Sequence, residues 1–115
     1  PDYGVMEAIT HNFGGGVYIK SIQTCANRVL VQHKHKHDHL SYLVSGTVEV
    51  MVDGVTALHT APSCLLIKAG KHHGIKTLTD AVWLCIHAAE NTDDVDEVLI
   101  APSKVEDMQS IAEAM

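Results

Sequence analysis

His33-Lys-His-Lys-His-Asp-His-Leu-Ser-Tyr-Leu-Val-Ser-Gly46 is the stretch on which the reading of this chain turns. Its histidines alternate at positions 33, 35, 37 and 39. In an extended strand alternate residues share a face, so a short segment can aim several imidazoles into one place. Neutral imidazole is the commonest metal ligand among side chains. A second pair, His72 and His73, follows Gly70-Lys71. The two stretches are expected to meet at one metal ion inside a β-barrel.

The flanking sequence supports the barrel. On the N-terminal side, Val29 and Val31 share the parity of His33, a period of two that runs into the first histidine. On the C-terminal side, Leu40 to Val44 reads as a strand stopped by Ser45-Gly46. Val48, Val50 and Val52 then alternate with Thr47, Glu49 and Met51, and Asp53-Gly54 is a strong two-residue hairpin signal. The pattern predicts a return strand to Thr60, then short strands over 64–67, 73–79 and 81–88. Further upstream it predicts a first strand over 5–10, a glycine turn over 11–16, and a strand over 17–24 with Val17, Ile19 and Ile22 as its apolar residues. Eight or nine short strands separated by turn signals mean an all-β antiparallel sandwich or barrel. Residues 90–97 read as an acidic linker. Beyond Pro102, Ser103-Lys-Val-Glu106 is a capping box. Val105, Met108, Ile111 or Ala112, and Met115 follow at helical spacing, so a short C-terminal helix is predicted. The chain reads as one domain over 1–115, with a barrel over about 5–90 and a linker and helix over 91–115.

Composition narrows the classes of function. At 115 residues the chain can bury a core without disulfide staples. A formal net charge of −6 argues against a nucleic-acid surface. No apolar run is long enough to span a membrane, and the opening residues lack the basic and apolar regions of a signal peptide. Cys25, Cys64 and Cys85 are odd in number and far apart, which gives no disulfide framework. All three are expected to be buried thiols in a reducing, cytoplasmic setting.

The spacing resembles the cupin superfamily. Its usual first motif is Gly, five residues, His-x-His, three or four residues, Glu, six residues, Gly. Here His33-Lys34-His35, position 39 and Gly46 fit that spacing, with His39 at the glutamate position and Asn27 where the leading Gly falls. Asparagine tolerates positive φ better than most residues, so a tight turn can survive at position 27. In the second motif Gly70 and His73 match, while Lys68 stands for the Pro, Pro62 for the leading Gly and Thr77 for the Asn. The resemblance covers about residues 17–88. It implies a double-stranded β-helix, the cupin jelly-roll barrel. The histidine at position 39 resembles a subgroup of small single-domain cupins with four histidine ligands. That subgroup implies His33, His35, His39 and His73 as the ligand set, with manganese, iron or copper favoured and zinc or nickel possible. It also implies oxygen-dependent activity in some members and, as commonly in cupins, a homodimer.

If His39 ligates, the chain must bend over residues 36–38, which leaves His37 facing solvent; His72 is expected on the face opposite His73. Four neutral imidazoles leave the charge of the metal uncompensated, and imidazole suits transition metals better than hard Mg or Ca. A six-coordinate ion keeps two positions open, as in a catalytic site, where it can act as a Lewis acid. Tyr42 and His87 are the candidate catalytic residues, with His87 a proton shuttle if it faces inward. His59, Met51 and Trp83 are further candidates to line the interior. Glu49 is expected to face outward, and Arg28, the only arginine, to be a surface charge. Two functions remain open: an oxygenase-type enzyme acting on a small organic molecule, with isomerase or lyase chemistry as a variant, and a non-enzymatic cupin that binds a metal or small ligand. Dimer contacts are expected at edge strands, which pairing would hide.

Overall fold

A computed structural model describes residues 8–32, 36–89 and 98–101. Ten strands follow one another: β1 (Ala8–Gly14), β2 (Val17–Thr24), β3 (Val29–Gln32), β4 (His39–Ser45), β5 (Thr47–Val52), β6 (Val55–Thr60), β7 (Ser63–Ile67), β8 (His73–Thr77), β9 (Ala81–Ala88) and β10 (Val98–Ala101). They form two five-stranded sheets, β1-β2-β9-β4-β7 and β10-β3-β8-β5-β6. Every pairing is antiparallel. The all-β antiparallel jelly roll expected from the sequence is therefore present. The expected C-terminal helix lies outside the described residues.

The turns show why the chain reverses where it does. Asp53 and Gly54 both have positive φ, 47° and 82°, as a tight primed hairpin turn requires. Asn27 has φ 61° and its N–H donates to the Thr77 carbonyl at 2.7 Å, so asparagine does hold the left-handed turn in the glycine position. Gly46 has φ 96°, and a Cβ there would collide with the Asp80 carbonyl oxygen. Both the backbone conformation and the space demand glycine at that point.

The core lies between the sheets. Ile22, Leu43, Trp83 and Cys85 from the first sheet meet Leu30, Val48, Val50 and Ile75 from the second. Register sorts the inner face of the first sheet into three rows. Ile22, Trp83 and Leu43 form the apolar row. Lys20, Cys85 and Ser41 form the next. Tyr18 opposite His87, with His39 beside it when the Leu40–Ile86 register is continued, forms the third. All nine residues are buried. The interior thus grades from apolar at one end to polar at the other.

Several expectations are corrected. β1 runs to Gly14 rather than ending near residue 10, so the glycine turn shrinks to Gly15 and Gly16. The barrel also takes in Val98–Ala101, which pair with β3 beyond the acidic stretch. On β2 the inward residues are Tyr18, Lys20, Ile22 and Thr24, so Val17 and Ile19 face out. On β3 Leu30 faces Ile75 in the core, and Val29 and Val31 are buried on the other face. Cys25 and Cys85 are buried, but Cys64 is exposed because it lies on the outward face of edge strand β7.

Candidate metal centre

Three imidazoles converge at the polar end of the interior. His39 opens β4 and shares the inward parity of Ser41 and Leu43. His87 lies on β9 with the parity of Cys85 and Trp83. His73 opens β8 on the facing sheet, with the parity of Ile75. All three are buried. The His39 and His73 ring centroids are 5.3 Å apart and their planes are inclined at 49°. An imidazole bound at ~2.1 Å has its centroid about 3.2 Å from the ion, so two ligands at ordinary coordination angles have centroids roughly 4.5–5.3 Å apart. The observed pair fits that range, and both donors are soft enough for a transition metal.

His87 has a different relation to His39. Their rings stack at 4.6 Å with planes 18° apart, so His87 presents its face to His39 rather than a shared nitrogen focus. Ser41 Oγ lies 3.3 Å from His39 Nε2 and orients the ring from the other side. Tyr18 stacks on the far face of this group, 6.0 Å from His87, and its hydroxyl is 2.7 Å from Nδ1 of exposed His11.

Of the expected ligand set, His39 and His73 come together, while His33 and His35 lie outside the described residues. Among the described residues no three His, Cys, Asp or Glu side chains are placed to hold a metal. β3 does lead toward the site: its last residue, Gln32, pairs with His73. His37 is exposed, as expected for a loop bystander. His72 is half-buried rather than exposed.

Tyr42, expected as a catalytic residue, is not brought together with His39 and His73. It lies on the outward face of β4, opposite Cys64 and Leu84, because inward parity belongs to His39, Ser41 and Leu43. Met51 shares the face of Glu49 rather than that of Val50. Trp83 belongs to the apolar core. His59 pairs with Val48, two rows from the His73 end, and bonds Ser63 Oγ at 3.0 Å. Glu49 faces outward opposite Lys76. Arg28 is half-buried, with its backbone N–H held by Thr77 Oγ1 at 2.9 Å. Sequence reasoning missed Tyr18, Lys20 and Ser41. The only available signal was the parity of Ile22 on β2 and of Leu43 on β4.

The loop entering β8 is fixed from two sides. Asp38 Oδ1 accepts the Ala69 N–H at 2.8 Å, and its other oxygen lies 3.7 Å from Lys68 Nζ. Asp53 Oδ1 accepts the His72 N–H at 2.9 Å, with Lys71 Nζ at 3.3 Å from Oδ2. The first clasp ties the loop to the residue before His39, and the second ties the residue before His73 to the turn between β5 and β6. The His72 backbone N–H, then Lys71, holds the Asp53 carboxyl below its ordinary value of 3.8. A carboxylate favoured by folding contributes stability above its unfolded value, and that contribution is lost as pH falls through the lowered one. Asp53→Asn keeps the left-handed turn but removes the titration. Its melting temperature should therefore fall less than that of the unsubstituted chain between about pH 5 and 2. Equal falls in the two proteins would reject this role.

Comparison with known proteins agrees with the fold. A family model described as the cupin domain matches residues 26–87, more than half of the chain. No protein of curated function matches the sequence. Among solved structures, the chain is similar to a cupin superfamily protein from Desulfitobacterium hafniense, with 15% identity, 72% of this chain and 77% of that one covered, and a TM-score of 0.64. It is also similar to KdgF from a Halomonas species, at 19% identity, 80% and 86% coverage and a TM-score of 0.63. A third is an RmlC-like cupin from Methanocaldococcus jannaschii with a double-stranded β-helix fold, at 8% identity, 81% and 89% coverage and a TM-score of 0.66. No helix among the described residues is long and apolar enough to cross a membrane. With the family model spanning both histidine stretches, this chain belongs to the cupin family.

Proposed function

We propose that the protein is a metal-dependent cupin that acts on a small organic molecule, with oxygenase-type chemistry at a centre formed by His33, His35, His39 and His73. The observation that carries this reading is the buried His39–His73 pair, from facing sheets and at a separation one ion can bridge. When bound, manganese, iron or copper supplies Lewis acidity and redox capacity for oxygen-dependent chemistry. The chain's own residues do the rest. Ser41 orients His39. His87, buried against His39, is the candidate for holding or passing a proton beside the substrate. Lys20, buried one row below, places an amine in the same wall of the interior.

The test begins with elemental analysis of protein purified without a histidine tag. About one manganese, iron or copper ion per chain is expected, since a transition-metal site built from imidazoles binds these ions well. Oxygen uptake by the loaded protein, measured across a panel of small organic acids, alcohols and phenols, then tests for turnover. A chain that takes up no metal on reconstitution sinks the reading. A loaded chain that binds panel members without consuming oxygen would favour the non-enzymatic binding function instead.

A further inference from the structure

A row of rings crosses the first sheet on the side of its core. Phe13 on β1 pairs with Tyr18 on β2, and Tyr18 pairs with His87 on β9. His39 on β4 completes the row when the Leu40–Ile86 register is continued. Ring centroids are 4.9 Å apart for Phe13 and Tyr18, 6.0 Å for Tyr18 and His87, and 4.6 Å for His87 and His39. Each pair lies within 27° of parallel, at separations where rings interact directly. Tyr18 alone in this row carries a hydroxyl, and that hydroxyl is 2.7 Å from His11 Nδ1. With the His11 proton on Nε2, the phenol donates and Nδ1 accepts. Tyr18 is 6% exposed. A buried phenol therefore has a base at its oxygen and a stack of imidazoles running from its ring to the His39–His73 pair. These are the two exits a tyrosine needs to lose a proton and an electron together.

We propose that Tyr18 is a one-electron donor to the metal centre, with His11 taking its proton. The metal end of this inference rests on the function proposed above; the Tyr18–His11 pair does not. A phenol that loses an electron becomes strongly acidic, so its oxidation is favourable only where the proton can leave. His11 Nδ1 is within reach of direct proton transfer, and an imidazole is basic enough to accept. The electron passes through His87 and His39 and reduces by one electron a metal ion that dioxygen or peroxide has oxidised. The Tyr18 O–H bond breaks, an N–H bond forms at His11 Nδ1, and a neutral phenoxyl radical remains on Tyr18. Oxidising equivalents generated at the centre without a substrate to consume them thus leave it toward β1. Tyr42 cannot take this role, because it faces the opposite side of the sheet. Trp83 stands in the apolar row, two rows from His87.

The test reads a radical rather than turnover. In the full chain carrying Tyr3→Phe and Tyr42→Phe, Tyr18 is the only phenol left. Photogenerated tris(bipyridine)ruthenium(III) takes one electron from the metal-free protein. Paramagnetic resonance of the frozen sample identifies the radical, and transient absorption gives its rate of formation. A tyrosyl spectrum is expected, and Tyr18→Phe should abolish it. His11→Gln keeps a hydrogen-bond acceptor but removes the base, so it should slow radical formation at least ~10-fold. A merely structural hydrogen bond would leave that rate unchanged, and an unchanged rate overturns the proposal. The second arm adds hydrogen peroxide to the iron(II)-loaded chain. Reduction of peroxide to two waters takes two protons from solvent and two electrons, one from iron(II) and one from Tyr18. The same tyrosyl spectrum is expected, and metal-free chain with peroxide should give none. A chain that takes up no iron defeats the metal reading and this proposal together. An iron-loaded chain that yields no tyrosyl radical, or carries the radical on Trp83 or Cys85, overturns this proposal alone.

Discussion

His73→Ala is expected to reduce metal affinity by more than about 100-fold, since losing even a hydrogen-bond partner of a ligand costs 10–100-fold. His73 is fully buried, so its ring cannot be replaced by a neighbour swinging in from solvent. The other histidine on the described strands of that sheet, His59 on β6, lies two rows away. His39→Ala should give a comparable loss, because the two rings face each other across the same gap. His37→Ala should retain full metal content, since that side chain is exposed. Metal stoichiometry after dialysis separates the cases. Equal retention in all three variants would mean that the ion, if bound, sits elsewhere. Circular dichroism of the metal-free proteins checks that loss of metal is not loss of fold.

Trp83→Ala is expected to cost about 3–5 kcal/mol, the usual range for removing a buried tryptophan. Trp83 is 1% exposed and stands between Ile22 on β2 and Leu43 on β4, in the central strand of the first sheet. No neighbour can close the void without breaking that register. Domains of this size have total stabilities of about 5–15 kcal/mol, so the variant should melt roughly 15–30 °C lower. Denaturant unfolding with unchanged slope would attribute the loss to the folded state. A cost below about 1 kcal/mol would mean that the core collapses around the site. Trp83→Phe, which keeps most of the ring volume, should lose much less.

The strands and turns were legible because local chemistry dictates them. Asp53-Gly54 is a hairpin turn by its own backbone preferences, and Asn27 takes the left-handed conformation for the same reason. The facing of β2 was not legible. Alternation identifies an inner face only where the outer face is polar. Val17 and Ile19 stand on an outer face that is itself apolar, while the inner face holds Tyr18 and Lys20. The same ambiguity hid the direction of Tyr42. β10 was missed because four residues carry too little period to read. For the site, spacing was enough to bring His39 and His73 together from opposite sheets. It could not place His87 against His39, since that neighbourhood depends on how β9 pairs with β4.

The bracing of the loop before β8 explains how a diverged motif can still form a site. Where the cupin pattern has proline, this chain has Lys68, so no ring stiffens the loop from within. Asp38 and Asp53 instead grip main-chain N–H groups at Ala69 and His72. A grip on the main chain is indifferent to the side chains between the two points. Position 69 can therefore change its side chain without loosening the grip, while positions 38 and 53, distant in sequence, carry the constraint. Rigidity here has moved from the segment that displays the ligand to the segments that border it.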